Sequence, residues 1–135
     1  MIEIGIPKET GANGYENRVM LLPEEVKKLI DLGHNVFVER DAAKRIFVED
    51  KFYSSVGAKI LDEPKEIFSK RIVVKLKAPS NEEFNMLNNN LLFSMLHAEQ
   101  NPEYLQKFKE NNVNAIAMEM ICNKHGDRFV DCTYS

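Results

Sequence analysis

Short apolar runs separated by stretches of helical spacing set the pattern of this chain. Ile2, Ile4 and Ile6 alternate with Glu3 and Gly5, the period of a strand with one buried face. Residues 36–38 (VFV), 72–74 (IVV), 91–96 (LLFSML) and 115–118 (AIAM) are continuous apolar runs, the habit of strands buried on both faces in a parallel sheet. Helical patterns fall between them. Pro23 stands where a first helical residue should, Glu24 and Glu25 suit a first turn, and Leu22, Val26, Leu29 and Ile30 share a face. Gly33 is the expected stop. Ser80 and Glu83 have the spacing of a capping box ahead of Phe84, Met86 and Leu87. Asn101 and Pro102 open a helix carrying Tyr104, Leu105 and Phe108, which Asn111 and Asn112 end. Shorter helices are expected over 49–56, stopped by Gly57, and over 64–68.

Strand and helix alternating without repeats or low-complexity linkers predict an α/β, doubly wound, mainly parallel sheet with helices on both faces and right-handed crossovers. After Met118 the pattern changes: Lys124, His125, Gly126 and Asp127 form a turn between MEMIC and RFVDC. The sequence then stops at Ser135 with no helix to cover the last strand, as a fragment of a longer protein would.

A length of 135 residues, 44% hydrophobic, accommodates one domain. Eighteen basic against 21 acidic residues give a net charge of −3, without the basic excess of a nucleic-acid binder. No apolar run approaches the roughly 20 residues that span a bilayer, and MIEIGIPKET lacks the basic start of a signal peptide. Cys122 and Cys132 make no disulfide framework, so a reducing, cytoplasmic setting is expected, with neither membrane nor nucleic acid as partner.

The glycines at 5, 11, 14, 33, 57 and 126 form neither GxGxxG nor GxxxxGK[ST], so no dinucleotide cradle is expected in this chain. Cys122, His125, Asp131 and Cys132 match no common zinc spacing, and no metal site is expected. His34 and His125 read as turn residues. His97 differs, because it closes the strand LLFSML; Lys77 stands just past RIVV, and Arg18 follows the first strand in ENRVMLLP. Ligands of open α/β sheets gather outside the carboxyl ends of the strands. Three cationic or protonatable groups there can hold a carboxylate and move a proton. On position alone, solvated charges on the rim of the sheet remain the competing reading.

At these residues the chain resembles the amino-terminal domain shared by alanine dehydrogenase, proton-translocating transhydrogenase and saccharopine dehydrogenase. The resemblance is carried in order by IGIPKE with ENRV and LP, GHNVFVE, FYSSVGAKI, VVKLKAP, and LLFSMLH with NAIAMEMI. It implies a Rossmann-like fold over residues 1–135 that supplies the substrate site. It also implies that NAD or NADP is held mainly by a second domain absent from this chain. By the alanine dehydrogenase pattern, Arg18 grips the substrate carboxylate, Lys77 contacts the substrate, and His97 acts as acid and base. The expected substrate is a small amino acid or 2-oxo acid, and further copies of the chain are a possible partner. Transhydrogenases resemble AEQNPEYLQKF but have no counterpart of Lys77 or His97, so a transhydrogenase domain I-like fragment is the alternative. A non-catalytic amino- or oxo-acid-binding module is another. Residues 41–58 (DAAKRIFVEDKFYSSVGA) lack the Gly-Ala-Gly segment of alanine dehydrogenases and look closer to saccharopine or lysine–oxoglutarate reductase sequences, as does HGDRFVDCTYS. Leu22 stands where the family has Ser or Thr, removing a helix cap worth about 1 kcal/mol.

Overall fold

The computed structural model describes residues 2–9, 21–77, 79–95 and 103–117. In chain order they form β1 (Glu3–Ile6), α1 (Pro23–Asp31), β2 (Asn35–Glu39), a 3-10 turn (Lys44–Ile46), α2 (Asp50–Ser55), β3 (Lys59–Leu61) and α3 (Pro64–Phe68). Then come β4 (Ile72–Lys77), α4 (Asn81–Phe84), β5 (Leu91–Met95), α5 (Glu103–Glu110) and β6 (Asn114–Ala117). The strands make one sheet in the order β3-β2-β1-β4-β5-β6, and every pairing is parallel. From β1 the chain works outward to β3, then returns past β1 to β4 and works outward the other way. The crevice between β1 and β4 is therefore the topological switch point.

Local sequence explains most boundaries. Helix α1 starts at Pro23, and Gly33 follows it at φ +98°. Gly57 ends α2 at φ +105° in the same left-handed way, and Asn112 follows α5 at φ +53°. Leu22 offers α1 no side-chain cap, but the Glu25 carboxylate accepts the Leu22 N–H at 2.9 Å, half of a capping box. The full box forms at α4. The Ser80 N–H donates to Glu83 Oε1 at 2.8 Å and the Glu83 N–H to Ser80 Oγ at 3.3 Å.

Two cores cover the two faces of the sheet. Ile4, Ile6, Val36, Val38, Val26 and Tyr53 cluster under α1 and α2. Phe68, Val73, Phe84, Leu92, Phe108 and Val113 cluster with α3, α4 and α5. Tyr53 is fully buried; its hydroxyl donates to the Leu21 carbonyl at 2.8 Å, and burial, with Glu25 and Asp50 nearby, pushes it up to about 12. Asn90 ties α3 to β5 by donating from Nδ2 to the carbonyls of Phe68 (2.8 Å) and Lys70 (3.3 Å).

Three expectations need correction. The alternation in β1 does not mark a one-faced strand: Gly5 is buried as well, because α3 lies on it. A Cβ on Gly5 would sit 2.4 Å from the Ile67 carbonyl oxygen, so the missing side chain is what admits the helix. Strand β3 was not expected at all; three residues at a sheet edge carry too little periodicity to register. His34 is partly buried rather than a surface turn residue, and its Nδ1 is buried with no hydrogen-bond partner among the described residues. The expected strand ends at Leu96 and Met118, the turn at 124–127, and the cysteines lie outside the described residues.

Candidate functional site

The switch point is built from the ends of three neighbouring strands. β1 pairs with β4 only at Ile4–Ile72 and Gly5–Val73. Carried forward one for one, that register brings Glu9 level with Lys77, beyond the last paired residues. The Glu9 side chain fills this gap between strands. Its Oε2 accepts the Leu76 N–H at 2.7 Å; its Oε1 accepts the Lys77 N–H at 3.0 Å and the Lys75 ammonium at 2.9 Å.

Lys75 is a buried cation between acids. Its side chain and that of Glu9 are each 1% exposed, and Glu83 Oε1 lies 3.8 Å from Lys75 Nζ. Glu83 therefore both caps α4 and faces the buried ammonium. A charge in such a place is tolerated only when paired and hydrogen-bonded, and this one is.

Strand β4 is irregular at this point. Val74 pairs with Phe93 and Lys77 with Met95, so two residues of β4, Lys75 and Leu76, stand against the single Ser94 of β5. This is a β-bulge, and it decides where the two lysines go. In a regular strand Lys75 and Lys77 would share a face. The extra residue instead puts Lys77 on the face of Val74, while Lys75 stays on the face of Val73. Lys75 is buried; Lys77 is half-buried at the strand's carboxyl end. Ser94 is fully buried, and its hydroxyl donates to the Lys77 carbonyl at 3.0 Å.

Glu39, at the carboxyl end of β2, completes the described part of the rim. It accepts the Lys8 N–H at 3.0 Å. Burial raises its carboxyl above the ordinary value, more than the Lys8 hydrogen bond and charge lower it.

Of the three site residues expected from the sequence, the structure places Lys77, at the carboxyl end of β4 beside the switch point. Arg18 and His97 lie outside the described residues. Sequence reasoning missed Glu9, Lys75 and Ser94 and the second role of Glu83. A lysine inside the apolar run VVKLK, which needs a buried acid for company, was the available signal. A separate surface hollow of about 570 Å³, lined by Asp41, Phe47, Asp50 and their neighbours, draws no residue from β1, β4 or β5. Among the described residues no group of three or more His, Cys, Asp or Glu could hold a metal ion, and no helix is long and apolar enough to cross a membrane.

The start of α1 does not suit a dinucleotide. Pro23 has no N–H to offer a phosphate, the Leu22 N–H is taken by Glu25, and Glu24 and Glu25 add negative charge.

A parallel sheet in this strand order, with charged side chains at its switch point, defines an α/β domain of Rossmann-like build. Residues 5–132 match the family described as alanine dehydrogenase/PNT, N-terminal domain, and the chain belongs to that family. It is 41% identical over 119 residues to the alanine dehydrogenase of Bacillus subtilis (strain 168), covering 87% of this chain and 31% of that protein. It is 32% identical over 120 residues to the alanine dehydrogenase of Methanococcus maripaludis, covering 87% of this chain and 32% of that one. Among solved structures, an L-alanine dehydrogenase superimposes with a TM-score of 0.87 at 32% identity, over 93% of this chain and 35% of its own. A transhydrogenase from Sinorhizobium meliloti does so at 0.82 and 25% identity, over 90% of this chain and 36% of its own. The chain thus spans about a third of the length of these relatives.

Proposed function

We propose that this chain is the substrate-binding and catalytic amino-terminal domain of an NAD(P)-dependent amino-acid dehydrogenase. The reaction is the reversible oxidation of a C–N bond, and alanine with its 2-oxo acid pyruvate is the leading substrate pair. The observation that carries this reading is Lys77, put by the bulge on the Val74 face of the sheet at the carboxyl end of β4 beside the switch point, in a chain 41% identical to an alanine dehydrogenase. The start of α1 does not suit a nicotinamide nucleotide, and a second domain would hold it.

Each side chain has a distinct task in this reading. Arg18 grips the substrate carboxylate through two parallel hydrogen bonds from its planar fork. Lys77 donates to the carbonyl oxygen of the oxo acid and draws electron density from the carbon. His97, whose ordinary pKa is near neutrality, takes the proton from the carbinolamine oxygen as ammonia leaves and returns it in the reverse direction. β5, which His97 follows by two residues in sequence, is the neighbour of β4 in the sheet. A transhydrogenase-like domain is the second reading, supported by the likeness to the Sinorhizobium meliloti structure.

Steady-state kinetics of the complete protein test this. His97→Asn keeps a hydrogen-bond donor but cannot shuttle a proton, so turnover should fall about 10²–10⁴-fold with little change in KM. Arg18→Lys should raise KM more than it lowers turnover, because a point charge lacks the two-bond grip. Wild-type turnover by His97→Asn across the neutral pH range would remove the acid–base role.

A further inference from the structure

We propose that Glu9 is a positioning residue that works through Lys77, by clamping the bulge of β4 that puts this lysine on the Val74 face of the sheet beside the switch point. In a regular strand consecutive backbone N–H groups point to opposite edges, so a single acceptor cannot serve both. Here the N–H groups of Leu76 and Lys77 both end on the Glu9 carboxylate, at 2.7 and 3.0 Å. That arrangement exists because Lys75 and Leu76 together oppose Ser94. Beyond Gly5–Val73 the two strands no longer pair, and the Glu9 side chain stands where the ladder stops.

The clamp has a second jaw and a lock. The Ser94 hydroxyl donates to the carbonyl of Lys77 at 3.0 Å, so both backbone polar groups of Lys77 are held by side chains, one from the segment after β1 and one from β5. The Lys75 ammonium, 2.9 Å from Glu9 Oε1, holds that carboxylate seated inside the sheet. Without the clamp β4 could relax to regular register. A one-residue slip would turn Lys77 to the opposite face, among the residues that pack with α4. Glu9 touches no substrate in this account; it fixes the direction of the residue that does.

The inference rests on the proposed role of Lys77, and the experiment separates the two. In the complete protein, kcat and KM for pyruvate reduction are measured for Lys77→Ala, Glu9→Gln and the double variant, with melting temperatures recorded alongside. Glu9→Gln should lower kcat/KM on the order of 10- to 100-fold, as misplacing a reacting group does. The double variant should be no slower than Lys77→Ala alone, because Glu9 acts only through Lys77. A purely structural Glu9 would give losses that multiply, and that result overturns the proposal. So would Glu9→Gln with wild-type kinetics beside an impaired Lys77→Ala. An unimpaired Lys77→Ala instead refutes the role of Lys77 itself. If Glu9→Gln does not fold, Ser94→Ala, which removes only the hydroxyl on the Lys77 carbonyl, carries the same comparison with the same expected and contrary results.

Discussion

Removing the charge of Lys75 should unbalance the centre of this domain more than any exposed substitution. Lys75→Met keeps the length and apolar stem of the side chain but leaves Glu9, 1% exposed, without the ammonium at 2.9 Å, and Glu83 without the one at 3.8 Å. Breaking a buried ion pair by deleting one partner costs about 3–5 kcal/mol, because the remaining charge is stranded. For a domain of this size each kcal/mol lowers the melting temperature by roughly 3–5 °C, so a fall of about 9–25 °C is expected. Two consequences separate this from loss of packing. Lys75→Met combined with Glu9→Gln strands one fewer charge, so the double variant should be more stable than the sum of the single effects by at least about 1.5 kcal/mol. Lys75→Arg should cost less than Lys75→Met, since it keeps the charge. Urea denaturation of the four variants and the wild type measures all of these. A loss below about 1 kcal/mol for Lys75→Met, or additivity within about 0.5 kcal/mol in the double variant, would refute the buried-pair reasoning.

Glu39 supplies a prediction with a definite sign. Its folded pKa is raised by burial, so the native state binds that proton more tightly than the unfolded chain. Its contribution to stability is therefore full below the ordinary carboxylate range and is lost as pH rises through the raised value. Glu39→Gln should gain on wild type with rising pH when denaturation midpoints are compared, and parallel curves would count against it. Calorimetric titration of these 135 residues with NAD and NADP should show no micromolar binding, because Pro23, Glu24 and Glu25 spoil the start of α1 for a phosphate; such binding at this helix would overturn that account.

The layout of the fold was readable because its parallel strands are continuous apolar runs and its helices carry their own start and stop residues. Pro23, Pro64, Gly33 and Gly57 mark boundaries by backbone chemistry, which acts locally and so can be read locally. What escaped was decided at a distance. Gly5 looks like half of an alternation until Ile67, 62 positions away in sequence, is found against it. The two lysines of VVKLK are two residues apart and chemically identical, and only the register against Ser94 gives them different fates. Lys77 was singled out by its place after the strand and by the family pattern. The reason it is Lys77 rather than Lys75 that reaches the rim lies in a bulge, which no spacing rule reveals. Glu9 sits in the motif IPKE that helped carry the resemblance, yet its hydrogen bonds span 66 to 68 positions.

A crystal structure of the complete protein with pyruvate should place the oxo acid outside the carboxyl ends of β1 and β4, its carbonyl oxygen within hydrogen-bond reach of Lys77 Nζ, while Lys75 stays paired with Glu9. Pyruvate bound elsewhere, in the hollow beside Asp41 and Asp50 for instance, with Lys77 making no contact to it, would contradict the account.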